Sequence, residues 1–184
     1  MKVLKFEEYV DSINEIYASE LTDSAQSDRL ERSNRIIYDY SGMTQRSSAN
    51  RIKTLKFSCE DPETTGQPHV VKLQIPDYRS ISHLRKNIST PEKLQMSIEA
   101  GNVKVDCDCN DFRFAGYKYM GTQLDYSIKK EDREPKITNP NFEGSVCKHI
   151  LAVIKNADKF YDQVSKDIEE YGKKRVEYEK AIKK

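Results

Sequence analysis

Cys107-Asp-Cys109 and Cys147-Lys-His149 put four soft donor atoms into two tight pairs, in a chain of 184 residues that holds four cysteines and three histidines. Nothing else in the sequence restricts the fold as strongly, because one ion shared by both pairs forces the segments that carry them to meet. Val103-Lys-Val-Asp-Cys107 alternates as a strand does, and Val146 to Ile154 is an apolar run that reads as a helix. Residues two apart on a strand share a face at about 6.6–6.8 Å. That separation is near the upper limit for a disulfide but suits two thiolates bending around one ion. A zinc ion with Zn–S bonds of ~2.3 Å needs its sulfurs about 3.8 Å apart, which a local kink supplies. Residues two apart inside a helix point to different sides. Cys147 is therefore expected at the non-helical N-cap and His149 in the first turn, with Gly144 and Ser145 easing the chain into the helix. The expectation is one structural Zn2+ held tetrahedrally by Cys107, Cys109, Cys147 and His149. The rivals are four ordinary core residues and a C-x-C redox pair.

Composition explains why such a crosslink would matter. Hydrophobic residues are 36% and charged residues 33% of the chain, with a mean hydropathy of −0.82. That is thin beside the ~45–50% apolar content of a usual globular chain. No run approaches the ~18 apolar residues of a membrane span. The opening Met-Lys-Val-Leu-Lys-Phe-Glu-Glu turns acidic too soon for a signal peptide. An intracellular chain with no membrane partner is expected, and there cysteines serve as metal ligands more often than as disulfides. Net charge is only +1, which excludes a uniformly basic nucleic-acid coat. The charge is unevenly spread, however. Residues 1–28 hold two Lys against seven Asp/Glu, whereas residues 29–56 hold seven Lys/Arg against two Asp/Glu.

Periodicity divides the chain into three expected segments. Residues 1–50 read as a helical segment and polar linker. Phe6, Val10, Ile13 and Tyr17 form a helical stripe over 4–20, a second helix is expected over 23–38, and 41–50 is small and polar. Residues 51–158 read as the zinc-binding domain. Its expected strands lie near 52–59 and 69–75, followed by a hairpin of 94–98 and 103–107 about Gly101. A turn-rich, aromatic stretch over 110–146 leads to the helix of 146–154. Residues 159–184 read as a charged helix, with 13 charges among the last 25 residues and one apolar stripe of Phe160, Val164, Ile168 and Tyr171. That stripe is too narrow for full burial in a small domain, so it is read as a surface that docks onto a partner. The fold class is α+β: a small antiparallel β-sheet with a zinc-knuckle strand–helix core, flanked by N- and C-terminal helices.

C-x-C at a strand end followed by C-x-H at a helix start resembles the SWIM-type zinc fingers, over about residues 94–158 and on Cys107, Cys109, Cys147 and His149. The 37 residues between Cys109 and Cys147 exceed the usual spacing. They carry Asp111-Phe-Arg-Phe114, Tyr117, Tyr119 and Thr138-Asn-Pro-Asn141. With this insert the arrangement is similar to small SWIM-like proteins encoded by tailed bacteriophages. The resemblance implies a zinc-dependent binding module for protein or nucleic acid, working in a virion or in the cytoplasm of a bacterial host.

Four protein ligands fill a tetrahedral zinc and leave no position for water or substrate. No phosphate-binding, dinucleotide-binding or hydrolase motif is present either. The chain is therefore expected not to be an enzyme and to have no small-molecule substrate. The first functional reading is a structural or adaptor protein that contacts protein partners in a larger assembly. The alternative is a nucleic-acid-binding module built from the arginines at 29, 32, 35, 46 and 51 (Arg29, Arg32, Arg35, Arg46, Arg51) with Phe112, Arg113 and Phe114 as stacking groups. The bland readings, a solvated helix face and a linker for the arginines and packing of the zinc knuckle for the aromatics, are both favoured. His69 and His83 read as ordinary histidines. Cys59 reads as a buried thiol, with a second site shared with His69 as the rival. Asn87-Ile-Ser89 matches a glycosylation acceptor without the secretion signal that would give it meaning.

Overall fold

Alternating burial builds the sheet. In the computed structural model, which describes residues 31–45, 53–64, 66–99, 102–142, 144 and 146–182, four strands lie in the order β1 (Ile37–Gln45), β2 (Lys53–Glu60), β3 (His69–Ile75) and β4 (Lys104–Cys107). Each pairs antiparallel with its neighbour. Leu55, Phe57 and Cys59 of β2 point to the same face as Val71, Leu73 and Ile75 of β3, all essentially buried. Register then fixes what comes next: Val71 sits opposite Cys107 and Leu73 opposite Val105, so Cys107 arrives on the inner face. The α+β class and the small antiparallel sheet are as expected.

The helices are α1 (Tyr78–Leu84), α2 (Thr90–Glu99), α3 (Asn110–Phe114), α4 (Tyr117–Gln123), α5 (Lys148–Lys155) and α6 (Tyr161–Ile182), with a 3-10 turn over Ala157–Phe160 before the last. Helix α5 is buried along most of its length, from His149 to Ile154, and packs on β3 and β4. Among the described residues, no helix is long and apolar enough to cross a membrane.

Three expectations are corrected. Residues 94–98 are helical, not one strand of a hairpin, because Ser89 and Glu92 form a reciprocal cap. Ser89 N–H and Oγ–H donate to Glu92 Oε2 at 2.7 and 2.6 Å, and Glu92 N–H donates to Ser89 Oγ at 3.3 Å. Leu94 and Ile98, four apart, then share the buried face. Residues 37–45 are a strand, although 23–38 read as helix and 41–50 as linker; among the described residues of 23–38, 31–35 are helical. Tyr38 and Tyr40 decide this, packing edge-on against Phe160 and Phe57 at 5.6 and 5.7 Å. A bulge at Gly42, whose φ of +122° disfavours any side chain, resets the alternation so that Met43 is buried in turn. The expected helix over 4–20 lies outside the described residues.

The third correction concerns the stripe read as a partner-docking face. Phe160 meets Phe57 at 5.2 Å, Val164 is 1% exposed, Ile168 packs on the core, and Tyr171 O–H donates to Met43 O at 3.3 Å. The start of the stripe is covered by the chain's own sheet and by α2, which also packs on α6, while Tyr171 stays 43% exposed. Strand β1 and the start of α6 thus share one buried cluster with the middle of the chain. Phe160→Ala should cost about 3–5 kcal/mol in urea unfolding, whereas Tyr178→Ala, on the exposed end of α6, should stay within about 0.5 kcal/mol. Equal midpoints for the two variants would contradict this packing.

Candidate metal centre

Strand β4 delivers Cys107 to the inner face and stops. The chain then bends, and Cys109 becomes the N-cap of α3 with extended backbone angles (φ −66°, ψ 152°). Its sulfur accepts the Phe112 N–H at 3.3 Å, so the helix end is capped by a thiol where serine or aspartate would ordinarily serve. Cys147 is likewise the N-cap of α5 (φ −78°, ψ 162°), and His149 lies in the first turn. This is the placement that two-residue spacing demanded. At Cys109 the helix N–H of Phe112 points at sulfur, a field that favours thiolate over thiol there, whereas Cys147 caps α5 through its backbone alone.

The four side chains converge. One ligand atom from each of Cys107, Cys109, Cys147 and His149 lies within 4.8 Å of the others, and all four residues are buried. None of the cysteines is in a disulfide. Both ring nitrogens of His149 are buried without a hydrogen-bond partner. A buried imidazole with both nitrogens idle forfeits about 1–3 kcal/mol per unsatisfied group, and a metal ion is the partner that three sulfurs and one nitrogen suit. Protonation follows the same logic. Hydrogen bonds from Cys107 first, then Cys147, hold the Cys109 thiol well below its ordinary value, while Cys107 and Cys147 are held above theirs. Three sulfurs and one imidazole nitrogen gathered this closely form a donor set that can hold a metal ion. Among the described residues, it is the one group of three or more such side chains close enough to share an ion.

A brace around the cluster was not legible in advance. Asp108, between the two cysteines of the C-x-C pair, accepts the Val70 N–H at 3.0 Å and lies 3.1 Å from His69 Nδ1 through the same oxygen. The elbow of the C-x-C arm is thereby fastened to the start of β3. The His69 ring lies 4.7 Å from that of His149, covering it on that side. Lys148, between Cys147 and His149, is ion-paired to the buried Asp61 in the turn after β2, and that hydrogen bond holds the Asp61 carboxyl below its ordinary range. In each pair the intervening residue anchors the arm to another element. Cys59 is the cross-strand partner of His69 but remains a buried thiol, its pKa pushed up to about 12 by burial. The pairing needed for a second site is present, yet the His69 nitrogen faces Asp108. His83 is exposed on α1.

The nucleic-acid candidates fare differently. Phe112 is fully buried against the knuckle and offers no face to a base, because the cap that holds Cys109 turns it inward. Arg35 is ion-paired with Glu63. Arg32 is exposed, and Arg29, Arg46 and Arg51 lie outside the described residues. Arg113 and Phe114 stay on the surface, the guanidinium 5.1 Å from the ring centre. The long insert folds back on α3 and α4. Thr138 Oγ–H donates to Phe114 O at 2.5 Å and Asn139 Nδ2–H to Ala115 O at 3.0 Å. Gly116, at φ +90°, approaches Pro135 so closely that a Cβ would stand 2.5 Å from its Cγ. A groove of about 300 Å³ remains between them, lined by Arg113, Phe114, Tyr119, Pro135 and Ile137 among others.

Substituting a ligand should be far more damaging than substituting Cys59. Cys107→Ser, Cys109→Ser, Cys147→Ser and His149→Ala should each lose the bound metal and the cooperative thermal transition, since metal at such sites contributes about 10–16 kcal/mol. Cys59→Ser should keep the metal and cost about 1–2 kcal/mol. Asp108→Ala should keep the fold but release metal to a chromogenic chelator at least about tenfold faster, in the range expected when an outer-shell partner is removed. Full metal content in any of the four ligand variants would refute the assignment. Compared with family models, with curated proteins and with solved structures, the chain matches none of them.

Proposed function

We propose that this chain is a SWIM-like, zinc-stabilised structural or adaptor protein that joins protein partners in a larger assembly and catalyses no reaction. The observation that carries this reading is the closure of the site. All four donors are buried and converge, and the His69 ring lies against that of His149. A catalytic zinc keeps an exchangeable position for water, and four protein ligands leave none. The metal's work is then to hold β4 against α5, and the function belongs to the surface displayed around it.

The insert supplies such a surface. Phe114, Ile137 and Phe142 are 47%, 94% and 41% exposed, Tyr119 stacks on Phe142 at 5.9 Å, and three of the four line or flank one groove. Large apolar side chains gathered on a rigid surface favour a protein partner over a small molecule. The ion pairs Glu131–Arg133 and Glu134–Lys136 along the same groove leave little net charge for a phosphate backbone, which weighs against nucleic acid. The setting implied by the phage resemblance is a virion or the cytoplasm of its bacterial host.

The purified protein should carry one zinc per chain and show no turnover on phosphodiester or peptide substrates. Ile137→Asp should leave zinc content and melting unchanged while shifting the protein, in gel filtration of its native extract, from an assembled fraction to free chain. Zinc-dependent hydrolysis that Cys147→Ser abolishes would overturn the non-enzymatic reading. Steep, salt-sensitive DNA binding retained in Ile137→Asp but lost in Arg113→Ala would replace the protein partner with nucleic acid.

A further inference from the structure

Helix α6 outruns the sheet it packs on. Val164 is 1% exposed and Tyr171 still reaches Met43, but Val176 and Tyr178 are 50% and 68% exposed. The apolar repeat continues past that point. Val164, Ile168 and Tyr171 are followed by Tyr178 and Ile182, with Arg175 at the intervening position, so the spacing runs four, three, four, three, four. That is the seam of a helix that packs against another helix. Over 172–184 the chain holds six Lys/Arg against two Glu, net +4. The same helix from a second copy would set +4 against +4 and is a poor occupant.

Residues 1–28 are a good one. Their two Lys against seven Asp/Glu give net −5, and Phe6, Val10, Ile13 and Tyr17 recur at the same four, three, four spacing, with Glu7, Glu8, Asp11 and Glu15 on the other positions. We propose that residues 4–20 dock as a helix of the same chain along the basic end of α6, covering the seam beyond Tyr171. The reach suffices. The described chain begins at residue 31, and Tyr38, seven residues on, packs on Phe160 next to the start of α6. From Phe160 to Tyr178 is about 27 Å at ~1.5 Å per residue, and the ten residues 21–30 can span up to about 33–36 Å. The contact leaves the groove on the insert untouched and stands apart from the adaptor reading.

Hydrogen exchange of the full chain tests this, comparing wild type with Val10→Asp/Ile13→Asp. Amides over 172–182 should exchange at least about tenfold more slowly in wild type, with the protection weakening as salt rises. Amides of β2 and β3 should be equal in both and serve as the folding control. If the double variant fails that control, Tyr178→Asp replaces it, with the same loss of protection expected. Equal exchange over 172–182 in wild type and a folded variant overturns the proposal. So does protection that appears only with a dimer in sedimentation, since a second copy would then cover the seam.

Discussion

The meeting of a strand end with a helix start, at four side chains from positions 107 to 149, organises everything around it. Cys107 and Cys109 must bend within three residues, so β4 ends there and α3 begins with a thiol as its cap. Cys147 and His149 must reach the same point, so α5 starts at the sheet and runs apolar across it. A buried imidazole with two idle nitrogens, beside three buried sulfurs, is unfavourable unless something binds all four. The proposed zinc turns that liability into the crosslink between sheet and helix.

The insert joins the two halves of the cluster. With both ends fixed at the cluster, the chain between Cys109 and Cys147 closes a loop whose entropic cost grows slowly with length. The length is therefore open to other uses. Here it is spent on α3, α4 and a return strap locked by Pro135 on Gly116 and by Thr138 and Asn139 on the carbonyls of residues 114 and 115. Phe112, Tyr117 and Tyr126 are buried beneath it, which extends the core from a sequence poor in apolar residues. Phe114, Ile137 and Phe142 are left outside, and there the adaptor reading finds its surface.

Legibility in the sequence followed the range of the interaction. The metal-ligand group was readable because strand and helix geometry turn a two-residue spacing into a direction, down to Cys147 as the cap. The sheet was readable where burial alternates, in β2 and β3, and in β4 from the alternation of its residue types. It was not readable where two periods compete. Leu94 and Ile98 satisfy both a strand and a helix, and the Ser89–Glu92 cap decides between them. Strand β1 depends on Phe57 and Phe160, distant in sequence, and its bulge hides the alternation. The brace of Asp108 on Val70 and Lys148 on Asp61 was invisible for the same reason: nothing local marks either partner.

If the metal holds sheet and helix together, removing it must release both. The direct measurement is the melting of wild-type protein, with metal content followed in parallel, as a high-affinity chelator is titrated in under reducing conditions. The account predicts that metal loss and loss of the cooperative transition run together, one ion per chain, and that both return when zinc is restored. A metal-free protein that melts cooperatively at the original temperature would contradict it.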